Sequence, residues 1–461
     1  MLLILLIKIL YMDVNLIDSV LPEIREIPPV LTEDKEIKQI SESVISPVLT
    51  YFVWWVLINA RERKIKRLYF LARDGYIMYK IAERFCNKFK LDIECRYLYS
   101  SRIAWRTAVY HLIGDEKYNH IFTGGYFITP RIILKRTQAD KTQRHDIYRD
   151  INQGDLFIFD ENKPLNDSEA KEFSEKLKKS KVFNEYLHNI SLKQFHDVSE
   201  YLKQEGLFEN NDITIVDSGW TGSIQRTLRQ IAENHIKNPN ITGFYFGLYT
   251  DSNDTRDGEY ISWYFSGKSP VRLMTKFNNN VFECMCATPF DMTISYKTEN
   301  GIYIPVFGAN SNSVYNTEIS KYKNYCIEYF TTKFIANTEF DKYNDSYLKK
   351  SRKILQRFMI YPTKEEAKAF GRFTFCDDAS EAYKNTLTTL INKKYLKNYT
   401  FMRRAYKKLT KKNKPCDTQP DLFWFHGSAA VSDIRAENWY RFNYWSWETL
   451  RLIIKKYRKD I

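Results

Sequence analysis

The sequence is poor in the residues that build disulfide frameworks and metal centres. Its 461 residues include only seven cysteines and seven histidines. The closest cysteine pair, Cys284 and Cys286, lacks the two-residue spacer of a zinc knuckle, and an odd number of cysteines spread along a long chain does not suit a secreted disulfide scaffold. The sequence therefore predicts a protein of the reducing cytoplasm.

Long apolar runs are scarce as well. The opening stretch, MLLILLIKILYM, is apolar, but Lys8 interrupts it and it falls short of the roughly 20 residues that a membrane-spanning helix needs. It also lacks the basic leading region and the small-residue cleavage site of a signal peptide, and Met12 is an alternative start to Met1. We expect no transmembrane helix elsewhere in the chain.

Acidic residues are outnumbered: 70 lysines and arginines stand against 56 aspartates and glutamates, for a net charge of +14. This balance favours anionic partners, namely phosphorylated substrates, nucleic acid or an acidic membrane surface, and charge alone does not choose among them. The densest basic stretch, residues 393–414, holds ten Lys or Arg residues and no acid. It is either a solvated helix face or a patch that meets anionic lipid or an anionic polymer.

The residues that are present predict a folded α/β protein. Hydrophobic residues make up 44% of the chain and aromatic residues 16%. Strand patterns in RLYFLARDG, ECRYLYSSR, ITIVDS and ITGFYFGLY alternate with helical ones, which is the order of a parallel sheet. A helix is predicted at residues 40–61, with Ser41 or Ser43 as its N-cap, and a hairpin at residues 292–307.

The chain divides into three parts by composition. We expect an N-terminal extension at residues 1–40, an α/β core at residues 41–267, and a mixed, mostly helical C-terminal region with basic helices at residues 268–461. A polar, charged stretch at about residues 131–205 predicts a helical insertion in the core. Acceptor binding is our expectation, by elimination, for the C-terminal region.

One turn of the predicted sheet has the features of an anion-binding site. A strand ending in Asp217 leads through Ser218-Gly219-Trp220-Thr221-Gly222-Ser223 into a helix, which directs backbone N–H groups and hydroxyls outward at the positive end of the helix. The stretch carries neither GxxxxGK[ST] nor GxGxxG. The alternative is a tight turn shaped by the two glycines, with Asp217 or Ser218 capping the helix.

Two further turns supply cations to the same edge of the sheet. Arg73, Asp74 and Gly75 follow one strand directly, and Arg102 follows the next. Because the carboxyl ends of parallel strands lie at one edge, these turns converge, and the pocket suits a ligand with phosphates at both ends. For each residue the alternative is a surface ion pair or a helix cap.

These motifs resemble a known enzyme family. YFLARDGY, YLYSSR and VDSGWTGSIQ, in this order, are similar to the type I phosphoribosyltransferases, and more closely to the bacterial polysaccharide-assembly phosphoribosyltransferases that place ribofuranose in glycans, often beside or fused to a HAD-type phosphatase. The similarity covers roughly residues 41–267. It implies a type I phosphoribosyltransferase-like parallel sheet flanked by helices.

The resemblance also implies roles for individual residues. Gly219, Thr221, Gly222 and Ser223, in the loop with Ser218 and Trp220, would hold the 5-phosphate of phosphoribosyl pyrophosphate (PRPP). Asp217 would bind the ribose hydroxyls and, through ligand or water, Mg²⁺. Arg73, Asp74 and Gly75 match the pyrophosphate loop, and Arg102 an arginine that holds the pyrophosphate. The general base is either Asp74 or Glu283.

Two departures from the family signature concern the acceptor. Val216 stands where the first acid is expected, and Trp220 where the purine enzymes carry an acid. Loss of that acid argues against a nucleobase acceptor, whereas an aromatic face suits a sugar ring.

The expected function is transfer of ribofuranose 5-phosphate from PRPP to a hydroxyl of a saccharide or lipid-linked glycan in capsule or O-antigen biosynthesis, with release of pyrophosphate. A separate phosphatase is expected as a partner, and nucleic acid is not. The location would be cytoplasmic, with a peripheral contact at the inner membrane face as the further expectation. Three alternatives stay open: a HAD-related phosphatase, whose Asp-x-Asp strand end is missing here, a nucleobase phosphoribosyltransferase, and a non-catalytic PRPP-binding scaffold.

Overall fold

Five parallel strands form the central sheet, and their order reverses once. The computed structural model describes residues 34–122, 128–152, 160–250, 257–308, 314–376, 385–409, 422–435 and 437–457. The strands lie in the order β2-β1-β3-β4-β5 and all pair in parallel, so the predicted α/β class is confirmed. Their bounds are β1 Arg67–Leu71, β2 Glu94–Leu98, β3 Asp212–Trp220, β4 Asn240–Leu248 and β5 Glu259–Phe265.

The inner strands are apolar because helices cover both faces of the sheet. Leu68–Leu71 of β1 and the middle of β3 and β4 are buried at successive positions, whereas the edge strand β2 keeps most of its residues partly exposed. The helices next to the sheet are α1 Lys35–Ile40, α2 Ser46–Glu62, α3 Gly75–Phe89, α4 Arg102–Val109 and α10 Ser223–Ala232.

The first described helix begins earlier than the sequence predicted. A π-helical turn, Ser41–Ile45, joins α1 to α2 without a break. The predicted caps were wrong, because the hydroxyls of Ser41 and Ser43 donate to the carbonyl oxygens of Ile37 (2.7 Å) and Gln39 (2.6 Å), four residues back inside the helix.

The same helix shows that one segment outside the opening stretch does reach the length and apolarity of a membrane span, contrary to our prediction. Lys35–Glu62 is long and apolar enough, by length and composition, to cross a membrane. In the fold, 78% of its most apolar window is buried inside the protein, so it acts as a core helix here. The predictions for residues 1–33, including the opening apolar stretch, lie outside the described residues.

The described residues between β2 and β3 are helices and turns. Their apolar side chains, among them Ile121, Phe173 and Phe183, form a cluster of their own beside the main core. The helices after α4 are α5 Glu116–Phe122, α6 Pro130–Lys135, α7 Lys141–Ile151, α8 Asp167–Lys179 and α9 Lys181–Gln204.

The C-terminal part packs directly on the core. The predicted hairpin is confirmed as β6 Thr293–Glu299 paired antiparallel with β7 Ile302–Phe307. Its Tyr296 ring stacks on Tyr201 of α9 at 4.4 Å, and its hydroxyl accepts a hydrogen bond of 2.9 Å from the Trp105 indole. The described residues from Glu36 onward belong to one compact unit.

The remaining elements follow in chain order. Two short helices precede the hairpin: α11 Val271–Met274 and α12 Asn279–Met285. After it come α13 Val314–Ala336, α14 Ser346–Ile360, α15 Lys364–Phe370, β8 Thr374–Phe375, β9 Asn385–Thr386, α16 Lys393–Leu396, α17 Phe401–Leu409, α18 Phe425–Val431 and α19 Glu437–Tyr457.

Candidate functional site

The order of the strands opens a crevice between β1 and β3. These two strands pair only at Tyr69 with Ile215 and at Phe70 with Val216, so β3 leaves β1 one residue before Asp217. Helices leave the sheet on either side of such a reversal, and ligands of open α/β sheets bind in the crevice at the carboxyl ends of the strands. The Arg73–Gly75 turn after β1 and the Asp217–Ser223 segment both lie at this edge.

Asp74 points into this crevice instead of capping a helix. It occupies the N-cap position of α3, yet its side chain makes no capping hydrogen bond. Its carboxylate instead accepts a hydrogen bond from the Ser218 hydroxyl, and it lies within electrostatic reach of Arg73, which precedes it after a cis peptide bond from Ala72. The helix-cap alternative for Asp74 is therefore wrong.

The cap alternative is also wrong for Asp217 and Ser218. The N-cap of α10 is Gly222, and no side chain caps that helix. Asp217 accepts hydrogen bonds from the backbone N–H groups of Ser218 and Gly219. Asp217 is bonded to these backbone groups and Ser218 to Asp74, so neither side chain caps α10.

Three carboxyl groups from distant parts of the chain lie within electrostatic reach of one another at the crevice: Asp74, Asp217 and Glu283 of α12. Desolvation raises the pKa of Asp217 to about 7, opposed by its two backbone hydrogen bonds and reinforced by Glu283. Desolvation also raises the pKa of Asp74 well above its usual range, with the charges of Glu283 and Asp217 adding to the effect. We call these three residues the acid cluster.

Glu283 is held in the cluster by the last residue of β3, Trp220. The indole Nε1 of Trp220 donates a hydrogen bond of 2.7 Å to its carboxylate. The Trp220 ring itself packs against Phe277 at 5.2 Å and edge-on against Phe282 at 5.7 Å. Part of the ring predicted as a sugar platform is therefore already in contact with protein, and sugar stacking there stays a prediction.

Both glycines of the loop have positive φ, as their sequence context predicted. Gly219 has φ 110° and Gly222 has φ 66°. The space beside them is filled by protein: a Cβ at Gly219 would lie 2.3 Å from the Gly247 carbonyl oxygen, and one at Gly222 would lie 2.4 Å from the Tyr260 ring. Any side chain at Gly222 would disturb the turn itself, so such a substitution does not isolate ligand binding.

One arginine contacts the start of α10, and a second, exposed arginine lies within electrostatic reach of it. Arg106, one turn after Arg102 on α4, donates a hydrogen bond of 3.1 Å from Nη2 to the Ser223 hydroxyl. Desolvation and then the neighbouring Arg102 lower the pKa of Arg106 to about 10. No carboxylate in the described parts of the chain forms an ion pair with either arginine. Together with the uncapped N–H groups of α10, these cations form an environment that would favour an anion. We call this group, Arg102, Arg106 and Ser223 with the start of α10, the cationic cradle.

A buried lysine contacts the C-terminal end of α12, the helix that carries Glu283. Lys323 of α13 is fully buried, and its Nζ donates to the carbonyl oxygens of Met285 (2.8 Å) and Ala287 (3.1 Å) and to Oδ1 of its neighbour Asn324 (2.8 Å). It therefore satisfies carbonyl groups at the C-terminus of α12, the helix that carries Glu283. Desolvation lowers the pKa of Lys323 to about 8, and the nearby charge of Asp74 opposes that fall.

The donor set suits Mg²⁺ better than a metal that needs a complete protein cage. No group of three or more His, Cys, Asp or Glu side chains within the described ranges is placed to hold a metal ion. Mg²⁺ commonly keeps several waters and binds through one or two carboxylates plus substrate phosphates. Asp217, at the carboxyl end of β3, is the carboxylate that would take that role.

The structure brings most of the predicted residues together. Six of them surround the crevice: Arg73, Asp74, Asp217, Ser218, Trp220 and Glu283. Thr221 is exposed, and Gly75 is buried in α3, packed against Phe70. Sequence reasoning missed Arg106 and Lys323. The four-residue spacing from Arg102 could have indicated Arg106, because i and i+4 share a helix face. Nothing in the sequence indicated Lys323, which lies 40 residues after Glu283.

Comparison with known proteins does not assign the chain to a family. The chain matches no protein-family model, and no curated protein matches it with significant similarity. The chemistry of the site therefore rests on its own residues.

Proposed function

We propose that the protein transfers ribose 5-phosphate from PRPP to a saccharide hydroxyl. The observation that carries the proposal is the position of the acid cluster beside the cationic cradle, at the point where the strand order reverses. A ligand with an anionic group at each end and hydroxyls between them matches this arrangement. The proposal includes the type I phosphoribosyltransferase-like identity of the sheet that the motifs suggested.

Each group has a role in this proposal. The cationic cradle would hold the 5-phosphate at the N-terminus of α10, where the helix dipole and the uncapped N–H groups favour an anion. Asp217 would accept hydrogen bonds from the ribose hydroxyls. Arg73, beside Asp74 after β1, would hold the pyrophosphate and stabilise the charge that develops on it as the bond to C1 breaks.

The transfer step needs one general base to accept the proton of the acceptor hydroxyl. The acceptor hydroxyl oxygen attacks C1 of the ribose, the C1–O bond to pyrophosphate breaks with its electron pair leaving on pyrophosphate, and the hydroxyl proton passes to a carboxylate. Asp74 suits this role best, because its raised pKa lies near working pH and makes it a better base than an ordinary aspartate. A Mg²⁺ ion held through water by Asp217 would supply further charge neutralisation on the pyrophosphate.

A pyrophosphate-release assay tests the proposal. Purified protein with PRPP, Mg²⁺ and a panel of bacterial saccharide acceptors should release pyrophosphate only in the presence of a suitable acceptor. Mass spectrometry should find a product heavier by a phosphoribosyl unit, still carrying its phosphate until a phosphatase is added. Arg73→Ala should lower turnover more than PRPP affinity, since charge on the leaving group grows in the transition state.

The outcomes separate the alternatives. PRPP binding without turnover for any saccharide would indicate a non-catalytic PRPP-binding protein. Transfer to a free nucleobase would indicate a nucleobase phosphoribosyltransferase. A plain ribosyl product formed by this chain alone would indicate that it also hydrolyses the phosphate.

A further inference from the structure

Four of the eleven large apolar side chains that are exposed among the described residues lie on two neighbouring C-terminal helices. Met402 and Tyr406 of α17 are 76% and 58% exposed, and Trp439 and Phe442 of α19 are 52% and 61% exposed. Single exposed apolar residues are normal on protein surfaces, but large ones gathered on neighbouring helices indicate an interaction site.

The two helices pack against each other through other residues. The backbone N–H of Phe401 donates to Oδ1 of Asn443 at 3.1 Å, and Arg404 pairs with Glu448 at 3.2 Å. The Phe401 ring lies 6.2 Å from that of Trp447. Because Met402 and Tyr406 are four residues apart, they share one face of α17, and their exposure shows that this face is turned away from the contact.

The charge around these side chains is positive. Residues 385–409 contain seven Lys or Arg residues and no Asp or Glu. Lys394, Lys397 and Arg403 are exposed. The nearest acids of α19 are already engaged, since Glu448 pairs with Arg404 and Glu437 pairs with Arg441.

We propose that the outer faces of α17 and α19 form a peripheral binding surface for an anionic phospholipid bilayer. Trp and Tyr side chains favour the headgroup region, where their rings meet acyl chains and their polar atoms stay hydrated, and Phe adds a wholly apolar ring to the buried face. Lysines and arginines near the surface strengthen binding through the negative potential of anionic lipids. The surface needs no transmembrane helix, and α2 keeps its place in the core.

This inference does not depend on the catalytic proposal. The variants below change residues outside the acid cluster and the cationic cradle, so a failure of PRPP chemistry would leave the membrane test unaffected. If both proposals hold, the surface would bring the site to a lipid-linked acceptor.

Vesicle co-sedimentation of the full chain tests the surface. The wild-type protein should bind vesicles of phosphatidylcholine mixed with phosphatidylglycerol, bind much less to phosphatidylcholine alone, and be released by high salt. The double variant Trp439→Ser, Phe442→Ser should partition at least about tenfold more weakly, which corresponds to about 1.4 kcal/mol. The matched control Leu192→Ser, Ile302→Ser, which removes exposed apolar side chains of α9 and β7, should bind like the wild type.

Four results would overturn the proposal. They are absence of binding by folded wild-type protein, equal binding by both double variants, equal binding to neutral and anionic vesicles, and tight binding to a soluble polyanion without partition onto vesicles. Circular dichroism confirms that each variant is folded. Analytical ultracentrifugation identifies a fifth contrary result, a wild-type dimer that the Trp439→Ser, Phe442→Ser variant dissociates, since the surface would then be a contact between copies.

Discussion

The indole Nε1 of Trp220 lies 2.7 Å from the carboxylate of Glu283 and donates a hydrogen bond to it. This bond joins the end of β3 to α12, which belongs to the part of the chain that follows the sheet. It fixes Glu283 beside Asp74 and Asp217, so that the loop predicted to hold phosphate also orients the acid cluster. The acid cluster and the loop proposed to hold phosphate are therefore joined by a direct hydrogen bond.

Replacing Trp220 by Phe should test this connection. The variant keeps an aromatic ring against Phe277 and Phe282 but removes the N–H donor, which leaves Glu283 without a hydrogen bond worth about 1.5–3 kcal/mol. We expect lower thermal stability and a lower rate of pyrophosphate release, measured by differential scanning fluorimetry and a coupled assay.

The matched control for Trp220→Phe is Trp263→Phe, which removes an indole bond of 2.8 Å to the Tyr343 hydroxyl, outside the acid cluster. The control should lose stability but keep its pyrophosphate-release rate relative to folded protein. Equal rates for the two variants would make the Trp220–Glu283 bond purely structural.

Arg106 should matter for PRPP affinity more than its distance from the motifs suggests. Arg106→Gln removes the cation that bonds to Ser223, and a lost charge-assisted bond to phosphate should weaken PRPP binding at least about tenfold in isothermal titration calorimetry. Arg229→Gln is the control, because Arg229 lies on α10 but pairs with Glu233 at 2.8 Å. Unchanged affinity in Arg106→Gln would remove Arg106 from the phosphate site.

Asp217 should make stability depend on pH. Its pKa rises from 3.8 to about 7 on folding, so the folded protein keeps a proton that the unfolded chain releases between these values. Stability therefore falls as pH rises from about 4 to about 7 and stays lower above that. Asp217→Asn removes this loss, so it should raise the melting temperature more at pH 8 than at pH 5.

The same Asp217→Asn variant also tests PRPP binding. Asp217→Asn should also bind PRPP more weakly, because an amide is a poorer acceptor for the ribose hydroxyls than a carboxylate. Asp212→Asn, at the exposed start of the same strand, should change neither quantity. A melting-temperature gain that is the same at both pH values would contradict a raised pKa at Asp217.

Lys323 should act on the acid cluster through charge and position. Lys323→Met leaves three oxygen atoms around the side chain without their donor and removes a buried cation near Asp74. We expect a stability loss of several kcal/mol and an acid limb of the activity profile that moves to higher pH, since Asp74 becomes harder to ionise. Lys321→Met, two residues away on α13 and exposed, is the control. A stability loss with an unshifted pH profile would limit Lys323 to a structural role.

The sequence by itself determined the local structure and the chemistry of the turns. Continuous apolar runs in β1, β3 and β4 indicated strands buried on both faces, and the alternation with helices indicated a parallel sheet, because each strand needs a crossover to the next. The glycines at 219 and 222 correctly indicated backbone positions with positive φ. The boundary of the first helix was wrong, because Ser41 and Ser43 can bond to the backbone inside a helix as well as at its start.

Only the tertiary structure decided which side chains meet. Glu283 was one of two candidate bases, and its place beside Asp74 and Asp217 depends on how α12 packs over the crevice. Lys323 carries no motif, since a single lysine on a long helix is ordinary until packing buries its ammonium group against the end of α12. Contacts between residues far apart in the chain depend on packing of whole elements, and local sequence patterns report on neighbours along the chain, so the acid cluster could be assembled only from the folded protein.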